Sequence, residues 1–210
     1  LRRLEISVRK RRKNLFVGRT GKAAVSATVL PPPPEDPMKE MVRQMMEENL
    51  CEFLRGTERI EFPEVRDPKV SILIVLYNQA AFTLSCLQSL EFEGEVSFEV
   101  VIVDNHSTDD TGRLLERVEG ATVLRNVENT GFVKAVNQAA GAARGDYLLL
   151  LNNDAVPRPG SLRNAVDTLE SAADIAAVGG RLILPDGQLQ EAGSIIWTDG
   201  RCLGYGRGLP

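Results

Sequence analysis

Apolar positions follow two regimes along the chain. From Met38 they recur at Met38, Met41, Val42, Met45, Met46, Leu50, Phe53 and Leu54. That spacing of mostly three and four residues predicts a helix ending near Gly56. All four methionines lie in it, and the stripe reads as a face packed on its own domain rather than as a partner surface. After Pro68 the pattern becomes an alternation. Strands are predicted at Val70–Leu76, Phe98–Val103, Ala121–Leu124, Tyr147–Leu151 and Ala176–Val178. Helices are predicted at Ala80–Leu90, Thr108–Val118, Phe132–Ala143 and Ser161–Leu169. The main strands are unbroken apolar runs, as expected of strands buried on both faces. This βαβαβαβαβ order predicts an α/β domain, a mostly parallel sheet flanked by helices. Beyond Gly179-Gly180, the segments Arg181–Leu184 and Leu189–Trp197 flank the turn Pro185-Asp186-Gly187. They read as a small antiparallel flap at the C-terminal end.

Charge divides the chain further. The net charge of −4 over 210 residues conceals an N-terminal arm in which residues 1–22 hold nine Lys or Arg against Glu5 alone. The remainder carries a net charge of −12. Pro31-Pro32-Pro33-Pro34 then forms a stiff break. Residues 1–37 are read as a basic arm and proline-rich linker, 38–67 as an amphipathic helix and connector, and 68–210 as the main domain. The arm reads as a solvated connector; association with an anionic membrane surface is the alternative, and nucleic acid is not expected as a partner. No run approaches the roughly 20 apolar residues that cross a bilayer. Three scattered cysteines fit a reduced, cytoplasmic setting, at most at the inner face of a membrane. A single histidine, His106, disfavours zinc hydrolases and Ser-His-Asp triads. The chain starts at Leu1 and ends at Gly208-Leu209-Pro210, and is expected to be a piece of a longer protein.

Candidate chemistry sits where the strands end. Ligands of open α/β sheets bind beyond the carboxyl ends of the strands. The run Tyr147–Leu151 stops at Asn152-Asn153-Asp154, which places Asp154 where a hard cation or a diphosphate would be held. The second strand stops at Asp104-Asn105-His106-Ser107-Thr108. Asp104 is assigned to a base N–H or a ribose hydroxyl; Ser107 or Thr108 can cap the next helix, and the later acids, Asp109 and Asp110, are assigned to capping and favour its dipole. Gly131 opens a helix whose first N–H groups can meet phosphate or ribose. No glycine-rich phosphate loop follows the first strand, which ends Tyr77-Asn78-Gln79. That disfavours dehydrogenases and P-loop NTPases.

Four blocks in order now carry a resemblance: Val70 to Asn78, Val101 to Asp109, Asn129-Thr130-Gly131-Phe132, and Leu150-Leu151-Asn152-Asn153-Asp154. Over about residues 68–205 the chain resembles family 2 glycosyltransferases. The segment Gly180 to Gly193 is similar to bacterial members that build surface polysaccharides. The resemblance implies a GT-A, Rossmann-like fold, a nucleotide-diphosphate sugar as donor, Mg²⁺ or Mn²⁺, and inversion on transfer to a glycan or lipid-linked acceptor. It implies that Leu76, Tyr77, Asn78, Asp104, Ser107, Asn129, Gly131, Asn152 and Asn153 border the nucleotide sugar. Asp154 matches the last carboxylate of the family's D-x-D element, the metal ligand. The first acid is replaced by Asn152, which offers a neutral oxygen. Asp186, Glu191 and Asp199 lie downstream but in no motif matching the family's general base, which is expected beyond Pro210. Two alternatives stand beside this reading: a non-catalytic nucleotide-sugar-binding module, and a nucleotidyltransferase.

Overall fold

A computed structural model describes residues 7–10, 37–196, 198 and 201–206. Its centre is a six-stranded sheet. Strands β3 (Val70–Leu76), β4 (Phe98–Asp104), β6 (Thr122–Arg125) and β7 (Tyr147–Asn152) are mutually parallel. The sheet is completed by β1 (Ser7–Lys10) and β8 (Ala177–Gly179), in the order β6-β4-β3-β7-β1-β8. Residues 73, 101, 103, 148 and 150 pack under α4 (Phe132–Ala142), while 72, 74, 100, 102, 149 and 151 meet the helices of the opposite face. The period of two with both faces covered explains why these strands read as continuous apolar runs. The second face holds α1 (Pro37–Arg55), α2 (Ala80–Leu90), α3 (Thr111–Leu115) and α5 (Ser161–Glu170).

Several expectations are corrected. The N-terminal arm reads as a solvated connector, yet Ser7–Lys10 forms β1, antiparallel to both β7 and β8. Its partners are backbone groups of distant strands, which no local side-chain pattern announces. The rest of the basic arm and the polyproline run lie outside the described residues. The connector after α1 contains β2 (Ile60–Glu61), which pairs in parallel with β5 (Val118–Glu119), so the second helix stops at Leu115 instead of Val118. Arg117 donates to Phe53 O, Leu54 O and Gly56 O at 2.9, 3.0 and 2.6 Å. A cation thereby satisfies the last carbonyls of α1 and fixes that helix to the domain. Only the C-terminal half of α1 buries its stripe, through Leu50, Phe53 and Leu54; Met38, Met41 and Met45 are exposed.

The C-terminal flap is present as two hairpins. β9 (Arg181–Ile183) pairs with β10 (Leu189–Ala192), and β11 (Ser194–Ile196) with β12 (Cys202–Gly204). The single strand expected over Leu189–Trp197 is interrupted at Gly193, whose φ of 93° ends one ladder and starts the next. Trp197 lies outside the described residues.

Candidate nucleotide-sugar site

Register brings the strand ends level. Leu76 stands opposite Asp104, Asp104 opposite Arg125, and Val75 opposite Asn152. The loops that follow are laced together by short polar side chains. The Asn78 amide donates to Ser107 Oγ at 2.8 Å, and Asn78 Oδ1 accepts the Thr108 amide at 2.7 Å. Asp104, 7% exposed, accepts the Ser107 amide at 2.9 Å. Asn129 Oδ1 accepts the Gly131 amide at 2.9 Å and Asn105 Nδ2 at 2.8 Å. Asn78, Asp104, Ser107, Asn129 and Gly131 are therefore brought into one hydrogen-bonded collar. Leu76 is fully buried and contributes its carbonyl to the Asn105 amide at 2.8 Å, whereas the Tyr77 side chain is half exposed.

Asn105 is the hub, and sequence reasoning missed it. It is 2% exposed. Its Oδ1 accepts Asn126 Nδ2, the Thr130 amide and Thr130 Oγ1 at 3.0, 3.0 and 3.1 Å. The signal available was strand alternation: if Asp104 faces one side of β4, its neighbour must face the other.

Asp109 takes the capping role expected of the later acids, and for two helices. Its carboxylate accepts the Ala80 amide at 2.9 Å and the Thr111 amide at 3.0 Å, the first residues of α2 and α3. It thus satisfies the N-termini of two helices, where the capping expected of the later acids concerned one. Burial pushes this carboxyl up, but the Thr111 hydroxyl and the two amides outweigh it and hold it below the usual carboxylate range. The chain crosses from β3 to α2 through two left-handed residues, Asn78 (φ 60°) and Gln79 (φ 65°). Such backbone is uncommon outside glycine and persists where surroundings over-determine it.

At α4, Gly131 has φ 80° and ψ 159°, and Phe132, Val133 and Lys134 after it are exposed. The helix N-terminus is therefore open to a ligand. Past β7, Asn152 O accepts the Ala155 amide at 3.2 Å, closing a turn that carries Asp154. Oδ1 of Asp154 is enclosed. Asp154 borders two spaces: a cavity of about 710 Å³ between α1, α5 and β9, and a cleft of about 590 Å³ between α1 and the start of α2. Among the described residues no group of three His, Cys, Asp or Glu gathers into a metal cage. One carboxylate beside a neutral amide oxygen is nonetheless a donor set that suits Mg²⁺ or Mn²⁺ shared with phosphate oxygens.

The architecture is a mostly parallel α/β sheet with acidic and amide-rich loops laced across its carboxyl edge. The model of glycosyl transferase family 2 matches residues 71–200, and the chain belongs to that family. It is 31% identical over 144 residues to the chondroitin synthase of Escherichia coli, covering 67% of this chain and 21% of that protein. It is 31% identical over 146 residues to the O-antigen biosynthesis protein RfbC of Myxococcus xanthus, covering 68% of this chain and 12% of that protein. The chain thus spans about a fifth or less of these relatives. Among solved structures, the mannosyltransferase PcManGT from Pyrobaculum calidifontis, in complex with GDP-Man and Mn²⁺, shares the fold at a TM-score of 0.50 and 22% identity, covering 70% of this chain and 45% of that one.

Proposed function

We propose that this domain binds the nucleotide-diphosphate sugar of an inverting glycosyltransferase that acts on a glycan or lipid-linked acceptor in bacterial polysaccharide synthesis. The observation that carries the reading is the collar at the level carboxyl edge of the sheet, with Asp154 at the next strand end. Asp104 uses one carboxylate oxygen to hold the Ser107 amide and presents the other to a base N–H or ribose hydroxyl. The backbone at Leu76 and Tyr77 borders the base. Asn129 and Gly131 border the nucleotide beside the exposed start of α4, whose first amides favour anionic groups.

Asp154, with the neutral oxygen of Asn152, is the place for Mg²⁺ or Mn²⁺. When bound, such an ion offsets the negative charge that grows on the departing nucleoside diphosphate. Inversion also needs a base for the acceptor hydroxyl. Asp186 accepts the Gln188 amide at 2.9 Å inside its own turn, and Glu191 accepts Ser194 Oγ at 2.7 Å. Both serve local structure, which favours a base other than these two. Among the described residues no helix is long and apolar enough to cross a membrane. We place the reaction in the cytoplasm, at or near the inner membrane face where the basic arm would meet anionic lipid.

A thermal-shift screen of nucleoside diphosphates and their sugars, with Mn²⁺ and with chelator, tests this reading. Ligands that bind only the folded state raise the midpoint, by an amount that grows with the logarithm of ligand concentration over Kd. A Mn²⁺-dependent rise with one nucleotide family supports it. No rise with any of them at millimolar concentration contradicts it.

A further inference from the structure

The middle residue of the Asn152-Asn153-Asp154 turn points back into the protein. Asn153 Nδ2 donates to Thr83 Oγ1 at 3.0 Å, and Asn78 O lies 3.5 Å from the same nitrogen. Thr83 sits on α2 with no exposed surface. Its hydroxyl donates in turn to Gln79 O at 3.1 Å. A hydroxyl carries one proton and two lone pairs, so donation to Gln79 leaves it an acceptor for Asn153. A single buried oxygen therefore links the left-handed turn after β3 to the turn after β7. These are the nucleotide side and the metal side of the proposed site.

α2 meets the same turn a second time. One helical turn beyond Thr83, the Cys86 thiol lies 3.6 Å from Asn152 O, and Cys86 is also fully buried. Asp154 lines the same cleft as Ala80 and Ala81 at the start of α2.

We propose that Thr83 is a positioning residue, which through Asn153 sets Asp154 at the distance from the Tyr77-Asn78 turn that a metal-bound diphosphate requires. Asn153 then acts as a strut, not as a ligand contact. The inference rests on the donor-binding reading above. Its physical basis is general: groups behind a metal ligand orient it, and their loss costs about 10–100-fold in metal affinity or activity.

Thr83→Val keeps the shape and removes the hydroxyl; Thr83→Ser keeps the hydroxyl. Uridine and guanosine diphosphates would be titrated with Mn²⁺, and the matching monophosphates in chelator. Thr83→Val should weaken Mn²⁺-dependent diphosphate binding about tenfold. Monophosphate binding should stay within about twofold, and Thr83→Ser should resemble the wild type. Asn153→Ala, at a half-buried position, should reproduce the loss if Thr83→Val folds poorly. The double variant should be no weaker than either single one, because both remove the same link. Unchanged diphosphate binding in Thr83→Val, equal losses of mono- and diphosphate, or additive losses in the double variant would overturn the proposal. Absence of Mn²⁺-dependent binding in the wild type would instead overturn the donor-binding reading. The strut is then judged by hydrogen exchange at the Ala155 amide, which closes the turn: faster exchange in Thr83→Val supports it, and unchanged exchange refutes it.

Discussion

Replacing Asn105 by Ala should release the loop between β6 and α4 from the end of β4. The side chain makes four hydrogen bonds, three accepted at 3.0, 3.0 and 3.1 Å and one donated at 2.8 Å. A neutral hydrogen bond contributes about 1 kcal/mol net, so complete loss would cost about 4 kcal/mol. Asn126 and Thr130 are only half-buried and Asn129 is exposed, so water replaces part of what is lost. The expected destabilisation is about 2–3 kcal/mol. Asn126→Ala removes one of the four bonds while its backbone amide keeps Asp104 O at 2.9 Å, and should cost about 0.5–1 kcal/mol. Urea unfolding at equal m-values measures both. The segment 126–131 would also lose its tether, so nucleoside diphosphate affinity should fall about tenfold in Asn105→Ala, as ordering must then accompany binding. Equal stability losses in the two variants, or wild-type stability in Asn105→Ala, would show that Asn105 does not hold this loop.

Two further predictions concern the frame beneath the site. A Cβ at Gly145 would lie 2.7 Å from Ser71 N and 2.8 Å from Ser71 Oγ and Val70 C, so Gly145→Ala must push on the backbone of β3. We expect a loss of about 2–3 kcal/mol, a fall of roughly 5–10 °C in melting temperature; an unchanged melting temperature would refute the close approach. Glu99, buried, accepts Ser71 Oγ and the Arg144 amide, each at 2.6 Å, and pairs with Arg144 Nε at 2.8 Å. Burial raises its pKa, but these partners outweigh it and hold the carboxyl below its usual 4.5. A lowered carboxyl stabilises the fold above the unfolded pKa and loses that contribution as pH falls through the folded one. Glu99→Gln should therefore be less stable than wild type near neutrality, with the gap closing below about pH 4. A gap in urea midpoint that stays constant over that range would contradict the assignment.

How far the sequence revealed this structure depended on where the determining contacts lie. β3, β4 and β7 were legible because burial on both faces writes a continuous apolar run. β1 was not, because a four-residue basic strand is chosen by its backbone partners in β7 and β8. The pairing of β2 with β5 is two residues long and leaves no periodic trace. That an acid after Asp104 caps α3 was legible, and Asp109 accepts the Thr111 amide; that the same carboxylate holds the Ala80 amide of α2 was not, because the two lie 29 residues apart. In the site, Asp104, Gly131 and Asp154 stood out by type and position at strand ends. Thr83 did not, since it lies on a helical face otherwise made of Ala80, Leu84 and Leu87. A lone hydroxyl on a buried apolar stripe was the available clue, because such a group must find a partner. Asn105 looked like one more polar loop residue, and its bonds to Asn126, Asn129 and Thr130 are 21 to 25 residues away in sequence.

The decisive measurement is calorimetric titration of wild type and Asp154→Ala with nucleoside diphosphates, with and without Mn²⁺. Asp154 is half-exposed at a strand end, so its replacement should leave the unfolding free energy within about 0.5 kcal/mol of wild type. Wild type should bind one nucleoside diphosphate in a Mn²⁺-dependent manner. In Asp154→Ala the Mn²⁺-dependent part should vanish, leaving the weaker affinity that wild type shows in chelator. Equal Mn²⁺-supported affinity in the two proteins would contradict the assignment of Asp154 as the carboxylate that holds the metal and, through it, the donor.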